Sequence, residues 1–415
     1  MTGSETTDTT DGGGRRERLD RRYWRLWWAN GINSVGDGVF VAALPLLAVT
    51  VTQDPRQISL IAAMTYLPWL LLSLPTGVLV DRHDRVTLMW ICQLIQAVLV
   101  AGVAGAAAVG MVNIPLLATA AFLLGSAEVL ITNAAQSALP RFVAPDLLQK
   151  ANSNQQVAQY LGANTLGPPL GSFLFALMPA LPFGLDGVSF VASATLLTRL
   201  PRHHVERTER RSAGHEMIEG LRWLAKHKLL RLLAFMLAVN TFCNQVGFAT
   251  LVLYATKTLH VSPDEYGLML LGVGVGGTIG GLVNARIAHS LGAIPALIMA
   301  YAANSMIYLA MGLAPSGTVL AILLGACGFA VTITNVVTVS LRQQIVPESL
   351  LGRVNSVYRM LGWGLMPLGS AVGGFVAARY GLRAPLLGAG GIRTIALILA
   401  FPALLAGARR LQRRP

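Results

Sequence analysis

Twelve long, mostly apolar runs, separated by short breaks, dominate this 415-residue sequence. A helix that crosses the hydrocarbon of a bilayer needs about 20 apolar residues. With Pro, Gly and charge clusters as breaks, the runs fall at about 24–51, 57–80, 87–110, 114–138, 150–178, 181–199, 230–256, 265–287, 292–314, 317–341, 352–379 and 385–407. Only 12% of the residues are charged, about half the share of a soluble domain. Such a chain cannot cover a water-facing surface, so the reading is an all-α membrane protein embedded in lipid.

The net charge of +13 would suit a nucleic-acid partner if the basic residues formed a face. They stand instead singly or in short clusters at the ends of apolar runs, which suits headgroups and topology. Of the 32 Lys and Arg residues, only Arg56, Lys257, Arg379 and Arg383 fall on one side of this topology, and Arg393 lies within a span. The remaining 27 share the other side. The positive-inside rule then places both termini in the cytoplasm of a multi-pass protein of the cell membrane. An even number of spans requires same-side termini independently.

Residues 1–22 read as a polar, disordered cytoplasmic tail with no cleavable leader. Two six-helix bundles follow, 23–200 and 229–407, joined by a polar connection at 201–228 and ending in a basic tail at 408–415. Within the connection, Met217, Leu221 and Leu224 share one face from His215 to Lys228, predicting a helix on the membrane surface. His203, His204 and His215 lack the Cys or carboxylate company of a metal site, so none is predicted. Cys92, Cys243 and Cys327 lie in apolar segments as packing residues.

The halves repeat. GVLVD (77–81) returns as GGLVN (280–284), ITN (131–133) as ITN (333–335), and PDLLQKANS (145–153) as PESLLGRVNS (347–356). Asn33 and Asp37 correspond to Asn240 and Asn244. Four matches in order, at offsets of 202 to 207, indicate a duplicated unit. The stretch after the second run, G-x-L-x-D-R-x-x-R, is carried by Gly77, Leu79, Asp81, Arg82 and Arg85. It resembles the signature loop of the major facilitator superfamily. That resemblance implies twelve transmembrane helices in two pseudo-symmetric six-helix repeats around a midplane cavity. It also implies a cytoplasmic gate: Gly77 for close helix approach, Asp81 at a helix N-terminus, Arg82 and Arg85 on helix-end carbonyls. The alternative, ordinary positive-inside charges, accounts for the arginines but not for Asp81 or the repeat.

Carboxylates inside the membrane are costly and usually functional. Asp37 stands in the first span and Glu128 near the middle of the fourth. In the superfamily's arrangement these helices line the cavity, so both acids can exchange a proton or pair with a cationic substrate. Helix packing alone, with each acid bonded to Ser34, Asn33 or Thr132, is the alternative. Asn33, Phe40, Thr132, Asn133, Asn240, Asn244, Gln245 and Asn335 are the further candidates for the cavity wall. Asp186 reads as structural, Arg359 as lining the exit, and Arg393 has no partner evident from sequence.

Gly162, Gly167, Pro168 and Gly171 in the fifth span resemble the Gly-Pro motif of major facilitator exporters, with a looser copy at Gly364, Pro367, Gly369 and Gly373. The whole pattern resembles the drug:proton antiporter branch, which includes macrolide, tetracycline and siderophore exporters. The fourth span has no Arg, which other multidrug branches carry there for proton coupling. The resemblance implies secondary export of small amphipathic molecules, driven by the proton gradient without a cofactor, by a monomer. A dedicated metabolite or siderophore transporter, or a non-transporting receptor or scaffold, are the other readings. GVGVGG (272–277) lies within a span with no strand before it and reads as helix packing. No Walker A sequence is present, so ATP is not the direct driver. As a test of the gate, Asp81→Asn is expected to slow transport while retaining substrate binding; unchanged turnover in a vesicle assay would refute it.

Overall fold

The computed structural model describes residues 19–201 and 213–412, and the described residues are helical with short connections. In chain order the helices are α1 (Arg21–Val51), α2 (Pro55–Arg82), α3 (Arg85–Ala108), α4 (Ile114–Ala138), α5 (Leu148–Tyr160), α6 (Gly167–Leu177), α7 (Leu181–Thr198) and α8 (Ala213–Lys226). The second half contains α9 (Lys228–Phe248), α10 (Leu251–Leu253), α11 (Pro263–Leu291), α12 (Ala293–Gly312), α13 (Gly317–Ile345), α14 (Glu348–Gly364), α15 (Met366–Tyr380) and α16 (Ala384–Gln412). Ten spans qualify on length and apolar content alone. The Pro-containing α2 and the broken fifth span, α5 with α6, bring the number to the twelve expected.

Side chains at the breaks explain where the helices begin. Asp20, Asp54, Asp84, Asn113 and Ser316 each accept a backbone N–H at the start of α1, α2, α3, α4 and α13, satisfying donors that have no partner inside the helix. Ser262 and Glu265 form a capping box on α11. The first helix starts at Arg21, three residues before the expected limit, because Asp20 caps it. The predicted tail and the histidines His203 and His204 fall largely outside the described residues.

Three spans are interrupted. Leu161–Leu166 is a π-turn between α5 and α6. Its cause is local: Pro168 and Pro169 have no N–H to give to the carbonyls of Asn164 and Thr165. Tyr254–Thr258 is a second π-turn, after α10. The eleventh span breaks at Leu365, just before Pro367.

Lipid tails are as apolar as the side chains, so close packing rather than water exclusion joins the spans. Small residues make this possible. A Cβ on Gly276 would coincide with the Gly325 carbonyl oxygen, and one on Gly280 would stand 2.8 Å from that of Phe329. These contacts clamp α11 to α13. The GVGVGG run is thus a packing face. The exporter-like glycines pack within their own half. Gly162, Gly167 and Gly171 pack on Ser34, Gly38 and Val39 of α1, inside one half. Gly369 and Gly373 pack in the same way on Phe242 and Val246 of α9, which makes the repeat visible in three dimensions. The seams between halves are α6 on α11, with Pro168 and Ser172 against Gly267, and α15 on α2, with Gly374 against Ser59. Among the described residues nothing lies within 4 Å of where a Cβ on Gly77 would stand, so the close approach expected there is not seen in this structure.

The connecting helix α8 matches the expected segment, although its contacts differ from a simple membrane-surface helix. Leu224 is buried, whereas Leu221 faces outward. Glu219 accepts an ion-paired hydrogen bond from Arg353 of α14 at 2.7 Å, and Gly220 sits on the Arg353 backbone. The Met217 and His215 side chains are outside the described set.

Overpacking costs roughly 1–3 kcal/mol. Gly276→Ala should therefore lower the melting temperature of the purified protein, whereas Gly77→Ala should not. Thermal unfolding of the two variants side by side checks this.

Candidate functional site

A cavity of about 420 Å³ lies between the halves, in the range of small-molecule sites. From α1 it is lined by Phe40, Val41, Leu44, Pro45 and Ala48, a spacing that keeps one helical face turned inward. Asn244, Gln245 and Phe248 of α9 form the opposing wall, and Asn335 of α13 contributes a further amide. Tyr66, Tyr160, Asn164 and Tyr266 also line it. No Asp, Glu, Lys or Arg is among the lining residues. The wall is apolar with a few amides and phenols, which suits an amphipathic guest.

Below the cavity, toward the side that carries both chain ends, the halves touch. Arg359 of α14 donates to the Gln136 side chain of α4 at 3.2 Å. Trp69 of α2 stacks on Trp363 of α14, with centroids 4.6 Å apart and planes 19° apart. The signature loop lies on this side. Arg85 donates to the Ser137 carbonyl at the end of α4, at 2.7 Å, where the helix dipole favours a cation. Asp84 caps α3 through the Thr87 N–H at 2.7 Å. Arg82 is exposed. The Asp81 side chain is outside the described set.

Asp37 lies three and four residues before Phe40 and Val41, on the same face of α1 and one turn deeper. Asn33 donates to it at 3.0 Å. Glu128 accepts from Thr132 at 3.1 Å, and its other oxygen is buried without a partner. Asp186 of α7 is 1% exposed, bonded by Ser189, and packed where a Cβ on Gly36 would stand. Asp186 is thereby placed beside the helix turn that carries Asp37. The first half therefore holds three carboxyls in its interior, none of them in the cavity wall.

The second half holds the counterpart of opposite sign. Arg393 of α16 is 4% exposed. It donates to the Asn304 side chain at 3.0 Å and to the Asn240 carbonyl at 2.8 Å. Its guanidinium lies 3.7 Å from the centre of the Tyr308 ring, a strong cation–π geometry. Tyr308 in turn donates to Asn244 at 2.7 Å.

Of the residues expected in the cavity wall, Phe40, Asn244, Gln245 and Asn335 line it. Asn33 and Thr132 instead serve the two acids, and Asn240 supplies a carbonyl to Arg393. Asn133 bonds Thr76 of α2 at 2.8 Å, a packing contact. Asp186 was legible only as an acid flanked by glycines; its company with Asp37 depends on the α1–α7 crossing.

A family model described as transmembrane secretion effector matches residues 19–411. The chain is 25% identical over 398 residues to the multidrug efflux pump Tap of Mycobacterium tuberculosis, covering 92% of this chain and 91% of that one. It is 26% identical over 348 residues to the enterobactin exporter EntS of Salmonella typhimurium, covering 80% of each. Among solved structures, the nucleoside transporter NupG superposes with a TM-score of 0.73 at 12% identity, over 93% of this chain and 99% of that one. A D-xylose-proton symporter does so with a TM-score of 0.67 at 15% identity, over 91% and 95%. At these identities the structural likeness speaks for the fold.

The contact between Arg359 and Gln136 makes a cross-link prediction. With Gln136→Cys and Arg359→Cys combined, a short bismaleimide should join the halves. After proteolysis at a site inserted between residues 202 and 212, the two fragments should then still migrate as one on a denaturing gel.

Proposed function

The chain belongs to the transmembrane secretion effector family of the major facilitator superfamily, and on that premise we propose that it exports small amphipathic molecules in exchange for protons. It is a multi-pass membrane transporter rather than an enzyme. The observation that carries the proposal is the placement of Asp37 on the cavity-lining face of α1, one turn beneath an uncharged chamber. A chamber of that size, walled by aromatic and aliphatic side chains with sparse amides, accepts varied apolar shapes and orients them through few polar contacts.

Burial in the membrane disfavours a carboxylate's charge unless a proton or a cation neutralises it. Asp37 and Glu128 would therefore alternate between holding a proton and meeting a cationic group of the substrate, with Asp186 sharing the charge. Competition of proton and substrate for the same acids is what exchange requires. With both termini in the cytoplasm, as the distribution of Lys and Arg supports, the cavity lies on the outward side of the Arg359–Gln136 contact. Alternating access follows if the bundles 23–200 and 229–407 rock about the cavity, with Asp81, Arg82 and Arg85 holding the inner side shut. The likeness to an enterobactin exporter favours a second reading, a pump dedicated to one siderophore or metabolite. A broad substrate panel separates the two.

The test is accumulation of dyes and antibiotics in cells lacking their own pumps, with and without a protonophore. Export by the unaltered chain should lower accumulation, and both Glu128→Gln and the protonophore should abolish that effect. Export by Glu128→Gln that still responds to the pH gradient would remove Glu128 from the coupling. If no compound in the panel responds, the multidrug reading falls.

A further inference from the structure

Arg393 has no role in the exchange scheme above, yet it is a guanidinium inside a helix bundle with no carboxylate in ion-pair contact among the described residues. A charge in that position is expensive and calls for a function. The contacts around it form a directed chain. The cation lies over the Tyr308 ring, which is 0% exposed. A positive charge against the ring strengthens the phenol as a hydrogen-bond donor, and its O–H donates to Asn244 Oδ1. That oxygen keeps a second lone pair, but the two N–H groups are the only donors Asn244 can offer. Among the described residues no acceptor takes them, which leaves them available to the cavity that Asn244 lines. Every link from the guanidinium to the amide turns its positive end toward the cavity.

At the matching place in the first half stands Asp37, which can only accept hydrogen bonds when ionised. Asn244 thus lines the cavity on the α9 side, while Asp37 stands one turn beneath the α1 wall. We propose that Asn244, oriented through Tyr308 by the buried Arg393, is a subsite that recognises an oxygen acceptor of the substrate, a carbonyl or similar group, opposite the end that meets Asp37. The substrate class is an amphipathic amine that also carries such an oxygen. Asn244 is the contacting residue; Tyr308 and Arg393 are positioning residues. This inference rests on the reading of the chain as a carrier of amphipathic molecules.

The experiment measures binding to the purified full-length chain in lipid nanodiscs. The probes are a tertiary amine bearing an aryl ketone and the same amine with that carbonyl reduced to methylene. One hydrogen bond from a polarised donor corresponds to about tenfold in affinity, so the ketone should bind about tenfold more tightly. In Asn244→Asp, which replaces the donor with an acceptor, and in Tyr308→Phe, which cuts the chain, that ratio should fall to about one. A purely structural role would weaken both probes equally and leave the ratio intact. Equal binding of the two probes by the unaltered chain overturns the subsite, as does an undiminished ratio in Asn244→Asp. If neither probe binds, the reading of the chain as a carrier of amphipathic amines fails and takes the subsite with it, an outcome distinct from loss of the ratio.

Discussion

The approach of helix backbones at glycine is the interaction on which the rest of this transporter depends. In lipid, no hydrophobic effect pushes one span against another, so the spans must find contact through shape. Gly276 on Gly325, Gly171 on Val39 and Gly373 on Val246 bring main chains together where a methyl group would not fit. The same device positions the chemistry. Asp186 reaches its place beside Asp37 because Gly36 leaves the space for its carboxyl. Without that glycine, the acids of α1 and α7 could not share one site.

The two halves share a scaffold but differ in charge. Packing of the fifth span on the first is repeated by the eleventh on the seventh, with Gly171 on Val39 matched by Gly373 on Val246. The buried charges do not repeat. One half holds Asp37, Glu128 and Asp186, and the other holds Arg393 with amides and a phenol around it. Duplication gives a symmetric frame, and divergence at a few interior positions leaves acids in one half and a guanidinium in the other. An asymmetric guest then has a preferred orientation in a symmetric container.

Much of this was readable from sequence because membrane insertion writes a strong signal. Span length, the clustering of basic residues and the offset of about 203 residues between halves each follow from a single physical constraint. Local chemistry was also legible: Arg85 meets a helix-end carbonyl, as its position after α2 implied. What sequence could not supply was partnership across helices. Arg393 had no evident partner because Asn304, Tyr308 and the Asn240 carbonyl lie 85 to 153 residues away. Asn133 and Thr132 carried the right residue types for a cavity but point to Thr76 and Glu128. The rotation of a span about its own axis decides such cases, and in a helix apolar all round the sequence pattern leaves that rotation undetermined. Gly77 illustrates the same limit: a glycine in a membrane helix signals close approach only where a neighbour actually crosses it.

The interrupted spans divide the molecule into stiff and jointed parts. An unbroken hydrogen-bond ladder transmits a tilt from one end of a helix to the other, whereas a π-turn or a proline break lets the two segments bend independently. Helices α11 and α13 run 29 residues each without a break and are clamped together by glycine contacts. They act as a beam. The fifth, seventh and eleventh spans are hinged at Leu161–Leu166, Tyr254–Thr258 and Leu365, and the fifth lies directly against that beam. Bending stiffness is therefore unevenly distributed around the chamber, whose wall is part beam and part jointed span.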